Sequence, residues 1–200
     1  MNLDLFDRII YINLERRLDR RAQTENLLHS LVTDKTRIER FVALEHENGS
    51  IGCAMSHVEV LKRIRSKGYT RALVVEDDIE VRSQVDPSTL ERAHSIEHDV
   101  LMLSGNVLQK KTIDYGIIRV IEAQTTAAYS PSPDYIDTLI SNFEESIVLL
   151  SSGVHPDKAA IDQNWKKLQS EHRWLGIDGM PFSQRSGYSD IEKKDVDYRC

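Results

Sequence analysis

The chain has 200 residues, 40% hydrophobic and 29% charged, with 9 Gly and 5 Pro. That balance excludes a disordered or collagen-like polymer and leaves room for one domain with its own core. Lys and Arg number 26 against 32 Asp and Glu, a net charge of −6, which argues against a nucleic-acid or anionic-membrane partner.

In chain order, Ile9 to Leu14 reads as a buried first strand and Arg17 to Val32 as a helix with Leu18, Ala22, Leu28 and Leu31 near one face. Ile38 to Leu44 reads as a second strand. Ser50 opens a second helix, with Ile51, Ala54, Val58, Leu61 and Ile64 at helical spacing and Gly68 at its end. Arg71 to Val75 is a third strand that runs directly into Glu76-Asp77-Asp78. Asp99 to Leu103, Ile117 to Ile121 and Thr125 to Tyr129 read as further strands, and Asp134 to Phe143 and Pro156 to Leu168 as helical. This alternation predicts one α/β domain over residues 1–200 with a mostly parallel central sheet. Trp174 falls in a strand-like stretch with its ring in the core, and from about residue 175 the Gly- and Pro-rich tail is expected to be irregular. No apolar run approaches the roughly 20 residues of a membrane span. The acidic start, with no signal-peptide core, and two distant cysteines, Cys53 and Cys200, give cytoplasm as the expected location.

The chemistry concentrates where the third strand ends. Four apolar residues, Ala72 to Val75, meet three carboxylates, and ligands of open α/β sheets sit at the carboxyl ends of strands. Extended alternation would turn Glu76 and Asp78 to one side and Asp77 to the other. Converging carboxylates repel, and a divalent ion offsets that repulsion; oxygen donors favour Mg²⁺ or Mn²⁺. A solvated acidic knuckle is the bland alternative.

A series of motifs then resembles glycosyltransferase family 25, the lipooligosaccharide and collagen hydroxylysine galactosyltransferases. The carriers are Ile12-Asn13-Leu14 with Asp19-Arg20-Arg21, Gly52-Cys53-Ala54-Met55-Ser56-His57, Leu73 to Asp78, Thr126 to Tyr129, Ile161-Asp162, and Gln184 with Ser189-Asp190-Ile191. The short His46–Ser50 connection, Leu61 and Ser130–Pro133 depart from the family pattern. The resemblance implies a GT-A fold, a nucleotide-sugar-binding sandwich. It also implies inverting transfer of a hexose, typically galactose, from a UDP-sugar to an acceptor hydroxyl on a glycan or protein.

On that reading Glu76 and Asp78 hold Mn²⁺ or Mg²⁺ against the departing diphosphate. Asp77 meets a ribose or sugar hydroxyl, and Ile12, Asn13 and Leu14 meet uracil or ribose. Arg20 is the arginine placed on the diphosphate, by its motif position and the match of its fork to phosphate oxygens. Ser56 and His57 support the donor, Asp190 completes the site from the tail, and Asp162 is the candidate for the base that inversion requires, the rival reading being a residue that binds acceptor or sugar hydroxyls; the third metal ligand is open among His155, His172 and Asp190. An inactive glycosyltransferase-like binding module is the alternative, since fold alone does not imply function.

Overall fold

The central strands arise where apolar residues run without interruption, and each then has to be covered on both faces. In the computed structural model, which describes residues 1–197, β1 (Arg8–Asn13) is such a run. It is followed by α1 (Leu18–Leu31), β2 (Ile38–Val42), α2 (Gly49–Lys67) and β3 (Ala72–Glu76). Then come β4 (Ile79–Val81), α3 (Pro87–Ser95), β5 (Val100–Met102), β6 (Asn106–Asp114), β7 (Ile117–Gln124) and β8 (Ala128–Pro131). The chain continues through α4 (Ile136–Ser151), α5 (Pro156–Ala159), α6 (Ile161–Asn164) and α7 (Lys166–Glu171). It ends with β9 (Trp174–Ile177), β10 (Phe182–Gln184), β11 (Gly187–Ser189) and β12 (Lys194–Val196).

Eight strands form one sheet in the order β2-β1-β3-β8-β5-β9-β7-β6. β1 is parallel to both β2 and β3, and β5 to β9, whereas β8 is antiparallel to β3 and β5, and β7 to β9 and β6. The α/β sandwich is as expected, but the sheet is mixed rather than mostly parallel. The cause is the β6–β7 hairpin and the return of β8. β6 is almost wholly exposed and too polar to announce itself as a strand.

Alternation sends successive side chains of the central strands into two cores. Ile10, Ile12, Val74 and Met102 pack with Ala54, Val58 and Leu61 of α2 and with Leu139 and Phe143 of α4. Ile9, Tyr11, Leu73, Val75 and Leu101 pack with Leu28 of α1 and with Leu90 and Ala93 of α3. Trp165 and Trp174 are fully buried with ring centroids 4.9 Å apart.

Several boundaries differ from the sequence reading. On α1 the buried residues are Thr24, Leu28 and Leu31, while Leu18 is exposed, because the first turn stands at the mouth of a cleft. Thr125 has φ 71° and lies outside any strand, so β8 begins only at Ala128. The helix expected over Pro156–Leu168 is three short helices, broken at Ala160, whose backbone is extended (ψ 153°). The tail is not irregular from residue 175: β9 lies inside the central sheet, β10 pairs with β4, and β11 with β12. Among the described residues no helix is long and apolar enough to cross a membrane.

Candidate functional site

The face of β3 that carries Ala72 and Val74 continues into Glu76, which therefore meets α2. Glu76 Oε1 accepts a hydrogen bond from Thr126 Oγ1 at 2.7 Å and faces His57 Nε2 at 3.4 Å. The strand ends there and the chain turns. Asp77 and Asp78 consequently share one partner: Arg20 Nη1 lies 3.0 Å from Asp77 Oδ1 and 3.2 Å from Asp78 Oδ2. Asp77 therefore does not point to the opposite side as extended alternation predicts, because the strand ends at Glu76 and the chain turns. Asp77 is fixed further by Asn13 Nδ2, which donates to Oδ2 at 2.7 Å, and by Thr24 Oγ1, which donates to its carbonyl at 2.7 Å. The Arg185 N–H donates to the Asp78 carbonyl at 2.6 Å.

Burial and mutual repulsion divide the charge among the three acids. Burial raises the Asp78 carboxyl, Glu76 adds to the rise, and the carboxyl is pushed up to about 7 despite Arg20. Burial also acts on Glu76, but His57, Thr126 and Arg20 outweigh it and hold Glu76 below its ordinary value. Burial raises Asp77 against the pull of Asn13 and Arg20. Of the three, Glu76 is the one held toward the charged form, and Asp78 the one pushed furthest toward the protonated form. Asp78 Oδ1 is buried and has no hydrogen-bond partner.

These acids form one wall of a cleft of about 360 Å³. Ile12, Leu14, Arg20, Ser56, His57, Glu76, Asp77, Asp78 and Asp190 all line it, so most of the sequence-predicted set is brought together. Two of these predicted groups spend their polar atoms inside the protein. Asn13 is 1% exposed and holds Asp77, and its Oδ1 accepts from Arg40 at 2.8 Å. The Ser56 hydroxyl donates to the Gly52 carbonyl at 2.7 Å and accepts the Leu44 N–H at 2.8 Å, tying α2 to the loop after β2. At the mouth, Asp190 accepts from Arg16 at 2.9 Å and Arg17 at 2.6 Å, and Arg20 Nη2 donates to the Tyr188 carbonyl at 2.7 Å. The tail is thereby strapped to the start of α1.

Asp162 lies outside the cleft lining, but Glu76 is close enough to raise its carboxyl, and Asp162 in turn raises the Cys53 thiol. Its Oδ2 accepts the Thr125 N–H at 3.2 Å, and burial lifts its carboxyl above the ordinary value. His155 and His172, weighed in sequence as metal ligands, stand elsewhere: one caps α5 and the other packs on Tyr135. Cys53 is a lining residue to which sequence reasoning gave no role. With His57 and Glu76 it forms a possible metal-binding group, one ligand atom from each lying within 4.8 Å of the others. The signal was present: Cys53 and His57 are four residues apart on one helix.

A mixed eight-stranded sheet between two helical layers, with an acidic strand end opening on a cleft, is a GT-A-like α/β fold. A glycosyltransferase involved in glycosylation of the major capsid of PBCV-1 superposes with TM-score 0.52 at 8% identity, over 85% of this chain and 80% of that one. A197 from STIV gives 0.48 at 9% identity over 94% and 93%. Mannose-1-phosphate geranyltransferase from Thermus thermophilus gives 0.43 at 12% over 88% and 74%. No curated protein sequence matches the chain. The chain belongs to glycosyltransferase family 25 (LPS biosynthesis protein), whose family profile matches residues 47–155, and family membership implies a transferase.

Proposed function

We propose that this chain transfers a hexose, galactose by its sequence resemblance, from a UDP-sugar to a hydroxyl on a glycan or protein, with inversion and with Mn²⁺ or Mg²⁺. One observation carries the reading. Three carboxylates at the end of β3 line a cleft, and one of them, Asp78, is buried with an unpartnered oxygen and a carboxyl raised to about 7.

Those residues fit a hard divalent cation: Glu76 and Asp78 would hold it, both offering oxygen donors. When bound, such an ion supplies Lewis-acid stabilisation of charge on the departing diphosphate. Arg20, held at the wall by Asp77 and Asp78, offers a guanidinium to phosphate oxygens. Asp77, fixed by Asn13 and Thr24, presents a rigid acceptor to a sugar or ribose hydroxyl. Asp162 takes the proton of the acceptor hydroxyl as the new glycosidic bond forms and the bond to UDP breaks. Its raised carboxyl suits it to that role better than a fully solvated Asp would be.

UDP release from UDP-hexoses with Mn²⁺ and hydroxyl acceptors tests the reading. Asp78→Asn is expected to lose metal-dependent turnover by at least a hundredfold. Asp162→Ala is expected to lose a similar factor while still binding UDP, in the range by which a general base accelerates transfer (about 10²–10⁴-fold). Wild-type turnover in either variant would remove the assignment of that residue.

A further inference from the structure

Cys53 and His57 are four residues apart on α2 and so share a face. Both line the cleft, and Glu76 reaches the same place from β3. One ligand atom from each of the three lies within 4.8 Å of the others. His57 is 1% exposed, and its Nε2 has no hydrogen-bond partner. That nitrogen faces Glu76 Oε1 at 3.4 Å. The other ring nitrogen lies 3.0 Å from the Tyr129 hydroxyl. With the ring proton on Nδ1, donated to Tyr129, the buried Nε2 lone pair is open to a cation that Glu76 can also reach.

We propose that Cys53, His57 and Glu76 form a site for a thiophilic divalent cation, Zn²⁺ by the donor set, with a fourth position open to the cleft. A thiolate, an imidazole and one carboxylate select zinc over Mg²⁺ or Mn²⁺, which favour oxygen-only sets. Zinc bonds of about 2.0–2.3 Å in a tetrahedron put ligand atoms up to about 3.8 Å apart. The present spread therefore has to contract by about 1 Å, within reach of side-chain rotation at Cys53 and Glu76. Tyr129 is the outer partner that fixes the orientation of the ring, as second partners of ligating histidines do. Asp78 stands apart from this set, in the hands of Arg20. Glu76 would belong both to the zinc site and to the cation set of the donor. Zinc is then expected to compete with Mn²⁺, a consequence that rests on the proposed transfer reading, whereas zinc binding itself does not.

The test is cobalt titration of the metal-stripped full chain, followed by displacement with zinc. Wild type is expected to show a thiolate-to-cobalt charge-transfer band and the intense visible bands of four-coordinate cobalt, both bleached by stoichiometric Zn²⁺. Cys53→Ser should lose the charge-transfer band and bind zinc at least about tenfold more weakly against a chromogenic chelator. Cys200→Ser should keep both properties. The wild-type spectrum is decisive even if Cys53→Ser fails to fold: weak bands of octahedral cobalt with no thiolate transition would overturn the proposal. So would a thiolate band that survives Cys53→Ser or disappears in Cys200→Ser. Because none of these readings involves sugar transfer, failure of the zinc site and failure of the transfer reading are separable.

Discussion

Asp78 is a carboxyl whose burial costs the fold that carries it. Its carboxyl is raised from 3.8 to about 7, so between those values the folded state binds a proton that the unfolded state has already released. Stability from this group is therefore fully present below about pH 4 and is lost as pH rises toward 7. Asparagine at the same place cannot ionise. In metal-free buffer Asp78→Asn is expected to gain on wild type as pH rises from 5 to 8, by on the order of 2–3 kcal/mol, from about 1.4 kcal/mol per pKa unit. Thermal unfolding at the two pH values checks it, and an equal difference at both would show that Asp78 is not the titrating group. A site residue that destabilises its own scaffold is the usual trade between stability and activity. The presence of these acids was legible in sequence, because a run of charge straight after a buried strand needs a reason. Their orientation was not, because alternation holds only while the strand lasts and the chain turns at Asp77.

Among the elements, α2 does most to organise the cleft. Asn48 caps its start by accepting the Ser50 N–H at 3.0 Å, and Gly68 ends it at φ 67°. Gly52 has a role that sequence could not assign. A Cβ there would come within 2.7 Å of the Leu44 carbonyl, so only glycine lets the loop after β2 lie on the helix where Ser56 receives the Leu44 N–H. Gly52→Ala is expected to destabilise by about 1–3 kcal/mol through overpacking, read as a lower melting temperature. Unchanged melting would mean that the loop moves freely from the helix. Elements whose reason is apolar burial, β1, β3, β5 and α2, were legible for that reason. β6 was not: its pairing with β7 is made by backbone groups, and its polar exposed side chains carry no periodic signal.

Across the whole molecule the cleft is assembled from distant parts of the chain. β3 and the turn after it bring the acids, α2 the histidine, the loop before α1 Arg16, α1 Arg20, and the tail Asp190 and Ile191. The tail approaches so closely that a Cβ on Gly49 would lie 2.9 Å from the Ile191 backbone. No short segment could have revealed this convergence, and only the order of motifs along the chain hinted at it. A ligand seated there touches several elements at once, and binding to the folded state alone must raise the stability of the whole. UDP at about a hundredfold its Kd would contribute about 2.7 kcal/mol. For a domain near this size each kcal/mol moves the midpoint by about 2–4 °C, so the expected rise is roughly 5–10 °C. If Glu76 and Asp78 hold a cation that the diphosphate also needs, the rise appears with UDP and Mn²⁺ together and collapses on adding EDTA. A shift of the same size in EDTA would place the nucleotide in the cleft without the metal, and the acids at the end of β3 would then have to act on the sugar rather than on the diphosphate.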